Sequence, residues 1–193
     1  RFSPQYSTTV LPTPAFGDYG RSLQAFGANI LPMPIVLGNQ IQDLGSLGIE
    51  EIGDIGELES RDRSLGIVIN NPHTPTGHLW RRQEILPLLD QYGLVVVDEA
   101  FMDFLQPDQQ ESVLDAVVDH PNLVVLRSLT KFYSMPGLRI GYAITHPERI
   151  HQWQQWRDPW PVNTLAIEAA IASLADTTFQ HKTLNWLDTA KPL

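Results

Sequence analysis

The sequence contains no cysteine. Disulfides and thiolate metal sites are therefore excluded, which fits a cytoplasmic protein. Positive charge is also scarce. Thirteen Lys and Arg stand against 22 Asp and Glu, a formal net of −9. A balance this acidic argues against a general binder of nucleic acid or of anionic membrane, since both present dense negative charge. No apolar run approaches the length of a bilayer-spanning helix, and the opening residues do not read as a secretory leader. There is no internal repeat and no low-complexity tract.

What remains is a chain of 193 residues with 42% hydrophobic content. That suits one domain with a tail or part of a second, and it argues against disorder. The chain starts at Arg1 and stops at Lys191-Pro192-Leu193, just after a helix-like stretch. Both ends look cut, so a truncated product is expected.

Short Val, Ile and Leu runs recur at Thr8–Leu11, Asn29–Val36, Leu65–Ile69, Leu94–Val97, Leu123–Leu126 and Ile140–Ile144. Several are apolar on both faces, as buried central strands are. Helical spacing lies between them at Asp18–Phe26, Arg81–Tyr92 and Val113–Asp119. It recurs at Asn163–Ala175, with Asn163 as a plausible N-cap. Gly38–Ser64 reads as an irregular connection. Strand alternating with helix predicts an α/β fold, a three-layer α/β/α sandwich on a mostly parallel sheet. Chemistry in such sheets sits in the loops after the strands. Three loops stand out: Asn70–Gly77, Asp98–Asp103 and Arg127–Gly141.

In the third loop, Ser128, Thr130 and Lys131 follow a strand, and Arg139 comes between Gly137 and Gly141. A lysine in a partly desolvated pocket can lose its proton and condense with an aldehyde. Ser128, Thr130 and Arg139 offer hydroxyl and guanidinium donors for a phosphate, and the glycines allow close backbone approach. In the second loop, a buried strand delivers Asp98, which can pair with a protonated pyridine nitrogen. An apolar strand ending in Asp-Glu also marks the metal-binding strand of P-loop ATPases, but the required G-x-x-x-x-G-K-[ST] loop is absent. In the first loop, Pro72, Pro75 and Gly77 force a defined turn.

The order N-P-x-x-P-T-G, D-E-A-F, then S-L-T-K with G-L-R-x-G resembles the class I/II aminotransferase superfamily, of fold type I. Within it the strings Thr13–Arg21, Leu126–Tyr133 and Pro159–Asn163 most resemble the threonine-phosphate decarboxylases, with the histidinol-phosphate aminotransferases as near relatives. The resemblance runs from about Ser7 to Ala175. It implies pyridoxal 5'-phosphate (PLP) as cofactor, with Lys131 bonding it and moving protons and Asp98 pairing with the pyridine nitrogen. It also implies that Ser128, Thr130 and Arg139 cup the cofactor phosphate and that Phe16 stacks on the ring. Thr74 stands where the family has Asn on the cofactor's phenolic oxygen, and Phe101 where many members have Tyr. Fewer donors on that oxygen are expected to alter its protonation or weaken binding. The resemblance further implies a homodimer and a phosphorylated amino-acid substrate. The implied reaction is decarboxylation of L-threonine O-3-phosphate to (R)-1-aminopropan-2-yl phosphate, a step of cobalamin biosynthesis. Histidinol-phosphate-type aminotransfer and an inactive large-domain fragment are the alternatives. Residues 1–176 are expected to be part of the PLP-binding large domain, and 177–193 the start of a helical connection to a small domain outside the chain.

Other residues read as structural. His73 and His78 read as solvated loop histidines with no carboxylate at ligand spacing. Glu99 and Asp103 read as hydrogen-bond partners. Trp153, Trp156 and Trp160 read as core or interface, with Trp160 also a candidate for the active site. Tyr19 and Arg21 read as facing either a substrate or solvent.

Overall fold

The computed structural model describes residues 6, 8–35 and 63–190. The expected connection over 38–64 therefore lies outside the described residues except for a turn at its last two positions.

Each strand expected from the apolar runs is present. They are β1 (Thr8–Thr13), β2 (Asn29–Pro34), β3 (Leu65–Asn70), β4 (Leu94–Asp98), β5 (Leu123–Ser128) and β6 (Gly141–Thr145). They form a six-stranded sheet in the order β2-β1-β3-β4-β5-β6. All neighbours are parallel except β5 and β6, which pair antiparallel, with Ser128 opposite Gly141. The apolar runs are continuous because the central strands are covered on both faces. In β4, Val95 and Val97 enter one core while Leu94 and Val96 enter another, as period-two alternation requires.

The two cores are unequal among the described residues. The larger is built from β1, β3, β4 and β5 against Trp80, Ile85, Leu88, Leu89, Val113 and Val117. The smaller holds Leu94, Val96 and Val124, with Trp153 packed on it.

The helices are α1 (Gly17–Ala25), α2 (Arg82–Ile85), α3 (Leu88–Gln91), α4 (Pro147–Trp156), α5 (Thr164–Ala175) and α6 (Thr177–Ala190). The single helix expected over Arg81–Tyr92 is instead two short ones. Pro87 has no N–H to continue the ladder, so the chain breaks between them. The Val113–Asp119 segment forms a tighter 3-10 turn at Leu114–Val118. Asn163 caps α5, its side chain accepting from the Ala166 N–H at 2.8 Å. Helix α4 was not foreseen. No residue of it is buried, so it carries no broad apolar stripe for periodicity to reveal.

Candidate active site

The carboxyl ends of the parallel strands open into a cavity of about 330 Å³. Strand β3 brings Asn70 and β4 brings Asp98, in register with one another. Strand β5 brings Leu126, Arg127 and Ser128, and the turn after it adds Thr130, Lys131 and Arg139. Phe16 and Tyr19 enter from the start of α1, and Thr74, Ala100 and Phe101 from the two other loops. Every residue assigned to the site from sequence thus lines one cavity: Phe16, Thr74, Asp98, Ser128, Thr130, Lys131 and Arg139.

The local bonds fix several of these groups. Asn70 accepts from the Thr74 N–H at 2.7 Å and donates to the Asp98 carbonyl at 3.0 Å, tying the first loop to β4. The Ser128 and Thr130 hydroxyls lie 2.8 Å apart. Arg139 sits at φ 54°, in the left-handed region, and its guanidinium donates to the Pro136 carbonyl at 2.9 Å. The Asp98 carboxylate takes the Ala100 N–H at 2.9 Å and the Tyr19 hydroxyl at 2.6 Å. Burial, reinforced by the adjacent Asp98 charge, pushes the Tyr19 phenol far above its ordinary range, so it remains a donor.

The Lys131 amine, the Asp98 carboxylate, the Ser128 and Thr130 hydroxyls, the Arg139 guanidinium and an aromatic rim therefore share a single cavity. That inventory matches the strings that the sequence shares with a known family. Residues 3–190 match the family Aminotransferase class I and II. The chain belongs to this family. Members of the family work with PLP. A Legionella pneumophila (strain Paris) protein named histidinol-phosphate aminotransferase 2 is 38% identical over 86% of this chain and 45% of its own length. A Caldanaerobacter subterraneus subsp. tengcongensis protein, provisionally named threonine-phosphate decarboxylase, is 30% identical over 93% of this chain and 47% of its own. Among solved structures, the histidinol-phosphate aminotransferase from Clostridium acetobutylicum superposes with a TM-score of 0.78 at 25% identity. It covers 95% of this chain and 53% of that one. The chain spans about half the length of the curated relatives it matches.

Three features of this class I and II aminotransferase chain differ from the sequence reading. Lys131 is exposed rather than partly desolvated; its ammonium stands 5.6 Å from the centre of the Phe101 ring, a cation–π contact. His73 is only 4% exposed, not solvated. Its Nδ1 lies 2.8 Å from the Thr76 hydroxyl, and both His73 and His78 pack edge-on against Trp80. Trp160 is 89% exposed and does not line the cavity.

Asn70 was missed as a site residue, and Tyr19, read as facing either a substrate or solvent, lines the cavity. The Tyr19 signal was its position three after Phe16 at a helix start, which puts both rings on one side; their centroids are 5.7 Å apart. Arg21 instead faces solvent, paired with Asp18 at 2.7 Å. Glu99 and Asp103 are structural partners, as expected. Both pair with Arg127, at 2.8 and 2.7 Å. Burial raises both carboxyls above their ordinary ranges against the opposing pull of Arg127. Among the described residues no cluster of His, Asp and Glu could hold a metal, and no helix is long and apolar enough to cross a membrane.

Proposed function

We propose that the cavity holds PLP and that the whole protein decarboxylates L-threonine O-3-phosphate. The observation that carries the cofactor reading is the convergence of Lys131, Asp98, Ser128, Thr130 and Arg139 on one cavity. The donor set fits the group. Lys131 supplies the amine that bonds its aldehyde. Asp98 supplies the carboxylate for its ring nitrogen. Ser128, Thr130 and Arg139 supply donors for its phosphate, and Phe16, half exposed at the rim, supplies a ring face. Thr74 and Phe101 line the same cavity but bring one hydroxyl at most to the phenolic oxygen. Bound PLP supplies an aldehyde and an electron-withdrawing ring. With PLP and substrate bound, Lys131 would return a proton to the substrate Cα after the carboxylate has left.

Histidinol-phosphate-type aminotransfer is the second reading. The 38% identity to the Legionella protein favours it. In that case Lys131 removes the Cα proton instead. Both readings take a phosphorylated substrate with an amino group. We read residues 1–176 as part of the large domain and 177–193 as the start of a connection to a small domain. We also read the intact protein as a homodimer; the exposed Leu165 and Ile171 on α5 support that reading.

Two measurements test this. PLP added to the chain gives a visible absorbance band that Lys131→Ala removes; no band in the wild type means an inert fragment. The full-length protein given O-phospho-threonine releases CO₂. Release of a 2-oxo acid without CO₂ refutes the decarboxylase reading and supports the aminotransferase one.

A further inference from the structure

We infer that Tyr19 is a positioning residue for Asp98, its phenol fixing the plane of the carboxylate that meets the cofactor's ring nitrogen. The inference rests on the cofactor reading above. It starts from a contact between residues 79 positions apart, in which the Tyr19 hydroxyl donates to Asp98 Oδ2 at 2.6 Å. The other oxygen, Oδ1, accepts from the Ala100 N–H at 2.9 Å.

An aspartate at the end of a strand has two side-chain torsions to fix. The second is soft, because a carboxylate turns easily about its bond to Cβ. One donor on one oxygen leaves that turn possible. Two donors, one on each oxygen and from different elements, remove it. Here α1 holds one oxygen and the turn after β4 holds the other. Each carboxylate oxygen has about two lone-pair sites, so a further donor can still be received. The carboxylate is thus held in place but not used up.

Tyr19 is itself held. Its ring meets Phe16 edge-on, and the helix start places both on the cavity. Burial and the Asp98 charge keep the phenol protonated, so it can only donate to the carboxylate. The role differs from that of a residue touching substrate: removing the hydroxyl harms the site only through Asp98.

The test is a double-mutant cycle with Tyr19→Phe, Asp98→Ala and both changes, in the chain. The readouts are the Kd for PLP, from the Lys131-dependent visible band, and the urea midpoint of the cofactor-free protein. Tyr19→Phe keeps the ring and its packing. A hydrogen bond to a charged group makes the expected loss of PLP affinity about tenfold. The double variant binds PLP no worse than Asp98→Ala alone, within about twofold, because nothing is left to position. In urea the two changes are likewise non-additive. A Tyr19→Phe Kd equal to the wild type overturns the inference. So do losses that multiply in the double variant, which would mark Tyr19 as acting by itself. If the wild type shows no Lys131-dependent band, the cofactor reading fails and the positioning role falls with it. The urea cycle then reports separately whether the Tyr19–Asp98 contact exists.

Discussion

Arg127 reaches Glu99 at 2.8 Å, with side chains only 7% and 0% exposed. The pair borders the cavity, because Arg127 lines it and Glu99 follows Asp98, which lines it too. Glu99 also accepts from the Ser112 hydroxyl at 2.7 Å and the Val113 N–H at 3.0 Å. Glu99→Ala therefore leaves a buried cation and two donors short of a partner, while Asp103 still holds Arg127 at 2.7 Å. The expected cost is about 3 kcal/mol, toward the lower end for a broken buried pair, read from urea unfolding. Glu99→Gln keeps an acceptor and costs less.

The two glycines beside Arg139 predict opposite outcomes. A Cβ on Gly141 would sit 2.7 Å from the Arg127 carbonyl oxygen, a backbone atom of the partner strand. A Cβ on Gly137 would meet nothing within 4 Å. Gly141→Ala must push β6 away from β5 beside Ser128. It is expected to cost about 1–3 kcal/mol and to weaken PLP binding several-fold. Gly137→Ala is expected to change stability by less than about 0.5 kcal/mol. Urea midpoints and a PLP titration of both variants check the contrast. Sequence alone assigned close backbone approach to both positions, and only Gly141 has it.

That contrast shows how far the sequence could be read. Strands such as β4 were legible because each successive side chain enters a core, leaving an unbroken apolar run. Asp98 was legible as the polar end of an apolar strand, and Ser128, Thr130, Lys131 and Arg139 as neighbours in one loop; the resemblance to the class I/II aminotransferases, not spacing, joined the two. The Tyr19–Asp98 bond was not legible, because nothing local links positions 79 apart. Buried His73 was not either: its environment is Thr76 and Trp80 after the turn has closed, while the string around it reads as polar loop. The break at Pro87 follows from a missing N–H and was legible in principle.

Asn71 closes that turn. It is fully buried, donates to the Trp80 carbonyl at 3.0 Å and accepts from the Trp80 N–H at 2.9 Å. One side chain thus satisfies both backbone groups of a buried tryptophan. Asn71→Ala strands both, at about 1–3 kcal/mol for each buried polar group, so a loss of about 2–6 kcal/mol is expected. Asn71→Asp retains the acceptor and is expected to lose less. The turn also carries Asn70 and Thr74 into the cavity, so Asn71→Ala should weaken PLP binding as well. Urea unfolding and PLP titration read the two effects; a variant as stable as the wild type would refute the clamp.

The buried His73 makes stability depend on pH. Burial, then the nearby His78 charge, lowers its pKa below the ordinary 6.5. The neutral ring is therefore the folded form, while the unfolded chain takes up a proton as pH falls through 6.5. Stability follows the excess of protons bound by the unfolded state, so it is intact above that pH. It is lost as pH falls from the ordinary value toward the lowered folded one, with a slope of at most about 1.4 kcal/mol per pH unit for each proton. Protonation would also put a charge beside Trp80 in a site with little water to receive it. His73→Gln cannot take up that proton. Urea midpoints between about pH 7.5 and pH 5 should fall more steeply in the wild type than in His73→Gln, even if the variant starts lower. Parallel curves would mean that His73 is not the group that titrates.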